Sequence, residues 1–332
     1  MQYSPLKFTP IFKERIWGSD RLKSLYNKNL PTNNIGESWE MADLPEDKTI
    51  VSAGQFKGMN LREVLETHGL AMGFTDEQIA SPFGLFVKLL DADDDLSVQV
   101  HPDADACKLF PGSALKTECW YVLHATDDGC IYKGLKPGTT RDDMAKAIEN
   151  GTVEDLMLRH SVKKGDFHHL PAGTIHALGA GVVIAEVQTP SDTTYRVFDW
   201  NRTDAAGNSR QLHINEALES IHFQHKAENA DFDRSYAQSL KKIASQIGTA
   251  KPLVDCEFFS VNHVTARQNN NFTCNHPFVM IVISGNGAIG NTEEKLNYAP
   301  GDTILVPKTD NGLFKVETRT EMLFCCLGPS KP

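Results

Sequence analysis

Along this chain, apolar residues gather in short runs, alternating or continuous, that are cut by Gly, Pro, Asn and Asp. The segments 85–90, 97–100, 119–124, 182–187, 278–284 and 303–306 have this character and predict β-strands. Helical spacing is local. In segment 61–67, Leu61, Val64 and Leu65 fall on one helical face; segment 141–149 is opened by Thr140, with Asp143 three residues on, and closed by Gly151. Segments 215–221 and, more weakly, 239–247 add two further helices. The pattern predicts a mainly β protein, barrel or sandwich, with a few decorating α-helices.

A chain of 332 residues has room for about two domains. The stretch 226–252 breaks the strand pattern with scattered charge, Ala and Ser, which divides the chain into a unit 1–228, a connecting segment 229–252 and a unit 253–332. An internal repeat relates the halves: Gly165-Asp166 followed by Pro171 has the spacing of Gly301-Asp302 followed by Pro307.

Charge narrows the partners. A net charge of −10 and a pI near 5.6 exclude a broad basic face for nucleic acid or anionic membrane, so an anionic ligand needs positive charge assembled locally. The opening residues MQYSPLKFTPIFKERIW form no apolar leader, and no apolar run of about 20 residues occurs, which predicts a cytoplasmic protein without a membrane partner. Seven Cys with no C-x-x-C pair, two of them adjacent at Cys325-Cys326, predict reduced thiols rather than a disulfide or thiolate framework. The acidic run Asp91–Asp95 lacks the ligand ladder of a calcium loop and reads as a solvated turn. No phosphate-binding loop of the G-x4-G-K type is present.

The chemistry concentrates in one segment. GDFHHLPAGTIHALG, at 165–179, fits G-x5-P-x-G-x2-H, in which a turn made by Gly and Pro delivers His176 to the start of the next strand. This spacing resembles the second sequence motif of cupin barrels, and the expected architecture becomes two jelly-roll β-barrels. The second copy lacks the His, so the second barrel is expected to be metal-free. Earlier, in Ser97-Val-Gln-Val-His-Pro102, alternation places Gln99 and His101 on one face of a strand that Pro102 ends. Glu118, in KTECWY at 116–121, is the best-placed carboxylate. Two imidazoles, a carboxylate and an amide oxygen suit one zinc ion per chain, with positions open to water or substrate. Gln in place of a third His fits iron oxygenase sites less well. His168-His169 lies inside the motif, but alternation points to His176, and the remaining His read as structural.

Taken together, SVQVHP at 97–102, Lys116-Thr-Glu118, the 165–176 motif and segment 188–199 resemble the type I phosphomannose isomerases in their compact bacterial form. The resemblance spans about 36–202 and takes in GESWE at 36–40 and FVKLL at 86–90. It implies zinc-dependent interconversion of mannose 6-phosphate and fructose 6-phosphate through an enediolate, with Gln99, His101, Glu118 and His176 as the four ligands. It also implies Arg196 as the active-site arginine, Lys88 and Lys116 as pocket lysines, and acidic positions at Glu186 and Asp192. Arg196, Lys88, Lys116 and Glu186 are thus the catalytic candidates, with Glu186 or a lysine as base; Asp192, Lys116 and Arg196 are the substrate-binding candidates. The larger members' helical insertion has no room here. Two other readings stay open: an iron-dependent bicupin oxygenase at the same site, and a non-catalytic sugar-binding bicupin. The expected partner is a small phosphorylated sugar, with the chain a monomer or weak homodimer.

Overall fold

The computed structural model describes residues 3–203, 207–224, 235–291 and 294–328. Within them the chain is mainly β, and strands lie where the apolar runs predict them: Phe86–Ala92, Val98–Val100, Glu118–Ala125, Val182–Gln188, Phe278–Ser284 and Thr303–Val306. The helices Leu61–Met72, Arg141–Asn150, Ile214–Ser220 and Ser235–Ile247 cover the four helical segments. Thr140 and Asp143 form a reciprocal capping box and Gly151 ends that helix at φ 68. Three short helices, Arg21–Tyr26, Asp76–Ala80 and Ala104–Leu109, were not foreseen, because one or two turns carry no periodic signal.

The strands form two double-sheet, cupin-type units. In the first, a six-stranded sheet runs in the spatial order Phe167–Leu170, Glu118–Ala125, Val182–Gln188, Phe86–Ala92, Ile35–Met41 and Ile11–Ser19. It faces a five-stranded sheet ordered Tyr195–Phe198, Val98–Val100, His176–Leu178, Cys130–Leu135 and Met157–Ser161. All these pairings are antiparallel. The six-stranded sheet is buried on both faces. Trp120, Val122 and Ile184 join one core with Trp17, Leu90 and Ile131. Their alternating neighbours Cys119, Tyr121, Leu123 and Ala185 join another with Phe259, Ile281, Leu305 and Cys325 from the second unit.

The second unit has a four-stranded and a seven-stranded sheet, and the latter takes in Leu6–Thr9 and Ile50–Val51 from the start of the chain. Leu6 opposes Leu305, which ties the two ends of the sequence together. The repeat is structural as well. In one copy Lys163 N–H donates to the Asp166 carboxylate at 2.9 Å and Gly165 has φ +94; in the other Ala299 N–H donates to Asp302 at 2.8 Å and Gly301 has φ +84. At the spacing where the first copy carries His176, the second carries Gly312, and a Cβ there would stand 2.5 Å from the Phe272 ring. The Phe272 ring leaves no room for a side chain at that position. All seven Cys are free, and six are buried. No helix among the described residues is long and apolar enough to cross a membrane.

Candidate metal centre

His101 follows the strand Val98–Val100, His176 opens His176–Leu178, and Glu118 opens Glu118–Ala125 in the facing sheet. Their donor atoms lie within 4.8 Å of one another. His101 Nε2 is 3.2 Å from Glu118 Oε2, and His176 Nε2 is 3.3 Å from Glu118 Oε1. Each Nδ1 faces a backbone carbonyl, Thr193 at 3.0 Å for His101 and Thr174 at 2.9 Å for His176. A carbonyl only accepts, so Nδ1 carries the proton and each Nε2 lone pair points to the centre. The three side chains are 2 %, 0 % and 1 % exposed in the order His101, Glu118, His176, yet both Nε2 atoms and both Glu118 oxygens lack a hydrogen-bond partner. Each such orphan costs about 1–3 kcal/mol. Four of them converging on one point fit a bound cation, and imidazole with carboxylate suits zinc. Gln99 opposes His176 across one strand pair and Arg196 across the other, so Arg196, Gln99 and His176 form a row over three strands.

Electrostatics prepare the donors. Burial opposes charge on Glu118, but Lys116, 3.2 Å away, and the two imidazoles hold its carboxyl well below the usual range. Burial, and then Lys116, push His101 down to about 3; burial also lowers His176. Both rings are neutral near pH 7 and free to ligate.

Next to this trio is a cavity of 430 Å³, and Lys88, Gln99, Lys116, Glu186, Asp192 and Arg196 all line it. The trio lies behind this lining, and Lys116, which belongs to the lining, stands 3.2 Å from Glu118. Lys88 Nζ stands between Glu37 Oε2 at 3.6 Å, Glu186 Oε1 at 3.7 Å and Asp192 Oδ1 at 3.6 Å. Burial opposes its charge, but these carboxylates outweigh burial and raise its pKa. Glu186 is the reverse case. Burial, and then Glu118, push it up to about 7, while Trp120 Nε1 donates to its Oε2 at 2.9 Å.

Arg196 donates from Nη1 to the Gln211 carbonyl at 2.8 Å and from Nε to Ser97 Oγ at 3.3 Å; among the described residues it has no carboxylate partner. Arg210 also lines the cavity and grips Asp199, which takes Arg202 as well, and Arg202 reaches on to Asp94 at 3.0 Å. The sequence reading missed Arg15, Trp17, Glu37 and Arg210 in this lining. Only Glu37 fell in a segment already singled out, GESWE; the others reach the cavity through pairings that local patterns do not encode.

The turn that aims His176 has a steric requirement. Gly173 has φ +84, its N–H donates to the His101 carbonyl at 2.8 Å, and an added Cβ would stand 2.5 Å from the His222 ring. Gly173→Ala is expected to destabilise by about 1–3 kcal/mol and to weaken metal retention, readable as a lower Tm and a lower metal content.

Comparison with known proteins gives the family and the fold. Residues 6–136 match the family model for the catalytic domain of type I phosphomannose isomerase, and 249–326 match that for the mannose-6-phosphate isomerase cupin domain. The chain is 35% identical over 325 residues to mannose-6-phosphate isomerase ManA of Bacillus subtilis, covering 97% of this chain and 99% of the relative. The crystal structure of mannose 6-phosphate isomerase from Bacillus subtilis superposes with a TM-score of 0.84 at 29% identity, over 98% of this chain and 100% of that one. A zinc-bound mannose 6-phosphate isomerase shares the fold at a TM-score of 0.71 and 14% identity, over 98% of this chain and 100% of that one.

Proposed function

This chain belongs to the type I phosphomannose isomerase family, and we propose that it interconverts mannose 6-phosphate and fructose 6-phosphate at the His101–Glu118–His176 centre. The observation that carries the reading is the convergence of four buried donor atoms without hydrogen-bond partners next to a cavity lined by Lys88, Lys116, Arg196 and Arg210.

Aldose–ketose exchange removes a proton from C2, passes through an enediolate and returns the proton to C1. His101, Glu118, His176 and Gln99 would hold zinc, which when bound supplies Lewis-acid stabilisation of the negative substrate oxygens, a contribution of about several kcal/mol. Glu186 is the best base. A pKa near neutrality balances deprotonated fraction against basicity, its Oε1 has no hydrogen-bond partner, and Trp120 fixes the other oxygen. As a carboxylate it takes the C2 proton and, once protonated, returns it to C1.

Lys88, kept charged by its carboxylate neighbours and 3.7 Å from Glu186, stabilises the anionic intermediate rather than transferring the proton. Lys116 neutralises Glu118. Asp192, half-exposed at the rim, accepts from sugar hydroxyls. Arg196 and Arg210, both in the cavity lining, suit the dianionic phosphate, and so an acidic protein receives an anionic substrate through its local field.

Loss of a charge-assisted contact is worth about 1.5–3 kcal/mol, so Arg196→Ala and Arg210→Ala are each expected to raise KM for mannose 6-phosphate by about 10–100-fold with metal content unchanged. Arg196→Ala with wild-type turnover and KM would remove that residue from the site. The reading as a whole is tested by a coupled isomerisation assay of the purified protein, run anaerobically, before and after chelation. Conversion that disappears on chelation and returns with zinc supports it; no conversion of mannose 6-phosphate at any metal loading sinks it, and conversion of another substrate only with iron and oxygen favours an oxygenase.

A further inference from the structure

The segment Gly36-Glu37-Ser38-Trp39-Glu40 brings one residue, Glu37, into the cavity wall. Its strand, Ile35–Met41, lies between Ile11–Ser19 and Phe86–Ala92, with Trp39 opposite Lys88. Glu37 and Trp39 share a face by alternation. Gly36 leaves room for the neighbouring strand's side chains: a Cβ there would stand 2.6 Å from Arg15 Cβ and from the Trp17 ring. Arg15 packs over this gap, and its Nε donates to Glu37 Oε1 at 2.7 Å. Trp39 Nε1 donates to Glu37 Oε2, also at 2.7 Å. Both oxygens of a buried carboxylate are thereby fixed, and Oε2 faces Lys88 Nζ at 3.6 Å. The lysine's stem and head are confined in turn, with Nζ 4.4 Å from the Phe86 ring centroid and 5.2 Å from that of Trp39.

We infer that Glu37 is a positioning residue for the isomerisation: pinned by Arg15 and Trp39, it holds the Lys88 ammonium at the cavity wall and keeps it from collapsing onto Glu186. The inference rests on the isomerase reading and adds a residue to it.

The geometry is a competition. Lys88 stands at nearly equal distance from three carboxylates, 3.6, 3.7 and 3.6 Å, and pairs closely with none. Glu37 is the one of the three anchored at both oxygens; Glu186 is anchored at one, and Asp192 lies at the exposed rim. Remove the negative charge at 37 and the ammonium's best remaining buried partner is Glu186. A closer Lys88–Glu186 pair would leave a weaker base and a cation turned from the substrate. The charged or polar groups facing Glu186 are Lys88, Glu118, Lys116 and Trp120; those facing Glu37 are Arg15, Lys88 and Trp39.

The same strand provides its own control. Glu40 is also buried and also ion-paired, to Lys28 at 2.7 Å, and it accepts from Ser38 Oγ at 2.6 Å, but it is absent from the cavity lining. A residue that only braces the strand should behave as Glu40 does.

The test uses the zinc-loaded full chain, with kcat and KM for mannose 6-phosphate measured across pH for wild type, Glu37→Gln, Glu37→Asp and Glu40→Gln. Glu37→Gln is expected to lower kcat by about 10-fold or more at unchanged metal content and to move the acid limb of kcat/KM to lower pH, since Lys88 then stabilises the Glu186 carboxylate. Glu37→Asp should recover part of both changes. Glu40→Gln should lower Tm with the pH profile unmoved. Wild-type kcat and profile in Glu37→Gln, or the same displacement in Glu40→Gln, would overturn the inference. Should Glu37→Gln not fold, Trp39→Phe removes one donor to Glu37 and keeps the ring under Lys88; a smaller shift in the same direction supports the inference, and an unmoved profile overturns it. A wild-type chain inactive on mannose 6-phosphate would instead overturn the isomerase reading itself, and this inference with it.

Discussion

His176→Ala is expected to lower kcat by about 10³-fold or more and to strip the zinc while leaving the chain folded. The Lewis-acid contribution lost is about several kcal/mol, and each 1.36 kcal/mol is a factor of about ten in rate. The fold survives because the ring removed is neutral: burial lowers its pKa, and deleting it strands no buried charge. Glu118 is different. Its carboxylate neutralises Lys116 at 3.2 Å, so Glu118→Gln leaves a buried ammonium unpaired at a cost of about 3–5 kcal/mol and confounds stability with chemistry. The measurement is elemental analysis beside kcat and a melting curve. Full metal content and near-wild-type turnover in His176→Ala would dismiss the trio as the metal centre.

Glu186→Gln should lower kcat by about 10²–10⁴-fold with zinc retained, the range ordinary for loss of a positioned base. In the wild type, activity should rise with pH through the Glu186 titration. That limb lies at or below about pH 7, the value to which burial and then Glu118 push the group, because a cation at the trio pulls it the other way. Stability has the opposite slope. The folded pKa is raised above the ordinary glutamate value of 4.5, so the native state binds the proton more tightly than the unfolded chain. The resulting stabilisation is present at low pH and is lost as pH rises through about 7. Glu186→Gln, which cannot ionise, should therefore melt higher than wild type at pH above 7 in the metal-free state while being nearly inactive. A variant that is inactive and less stable across the whole pH range would instead make Glu186 a structural residue.

Several features were legible before the structure because their causes are local. The strand Val98–Val100 alternates, and so Gln99 and His101 share a side. Gly165, Pro171 and Gly173 shape a turn, and so His176 arrives at a strand start. Thr140, Asp143 and Gly151 cap a helix within a few residues of one another. The repeated Gly-Asp turn predicted two related halves, and the matching hydrogen bonds of Asp166 and Asp302 show why the repeat reads in sequence.

Other features were hidden because their causes lie far apart in the chain. Leu6–Thr9 is a strand through its partners Thr303–Val306 and Ile50–Val51, and nothing near residue 6 announces those pairings. Arg15 and Arg210 enter the cavity from opposite ends of the first unit, so neither carries a motif of its own.

The sequence by itself determined which residue types could ligate a metal, which face of each strand they occupy, and that the second half had lost its His, since alternation and turn chemistry act over a few residues. Only the tertiary structure decided that Glu118 crosses from the facing sheet to meet His101 and His176, that Lys88 stays charged among three carboxylates, and that Glu186 is held near neutrality. Those are properties of burial and of charges a few ångströms apart in space, and neither quantity exists until the two sheets close on each other.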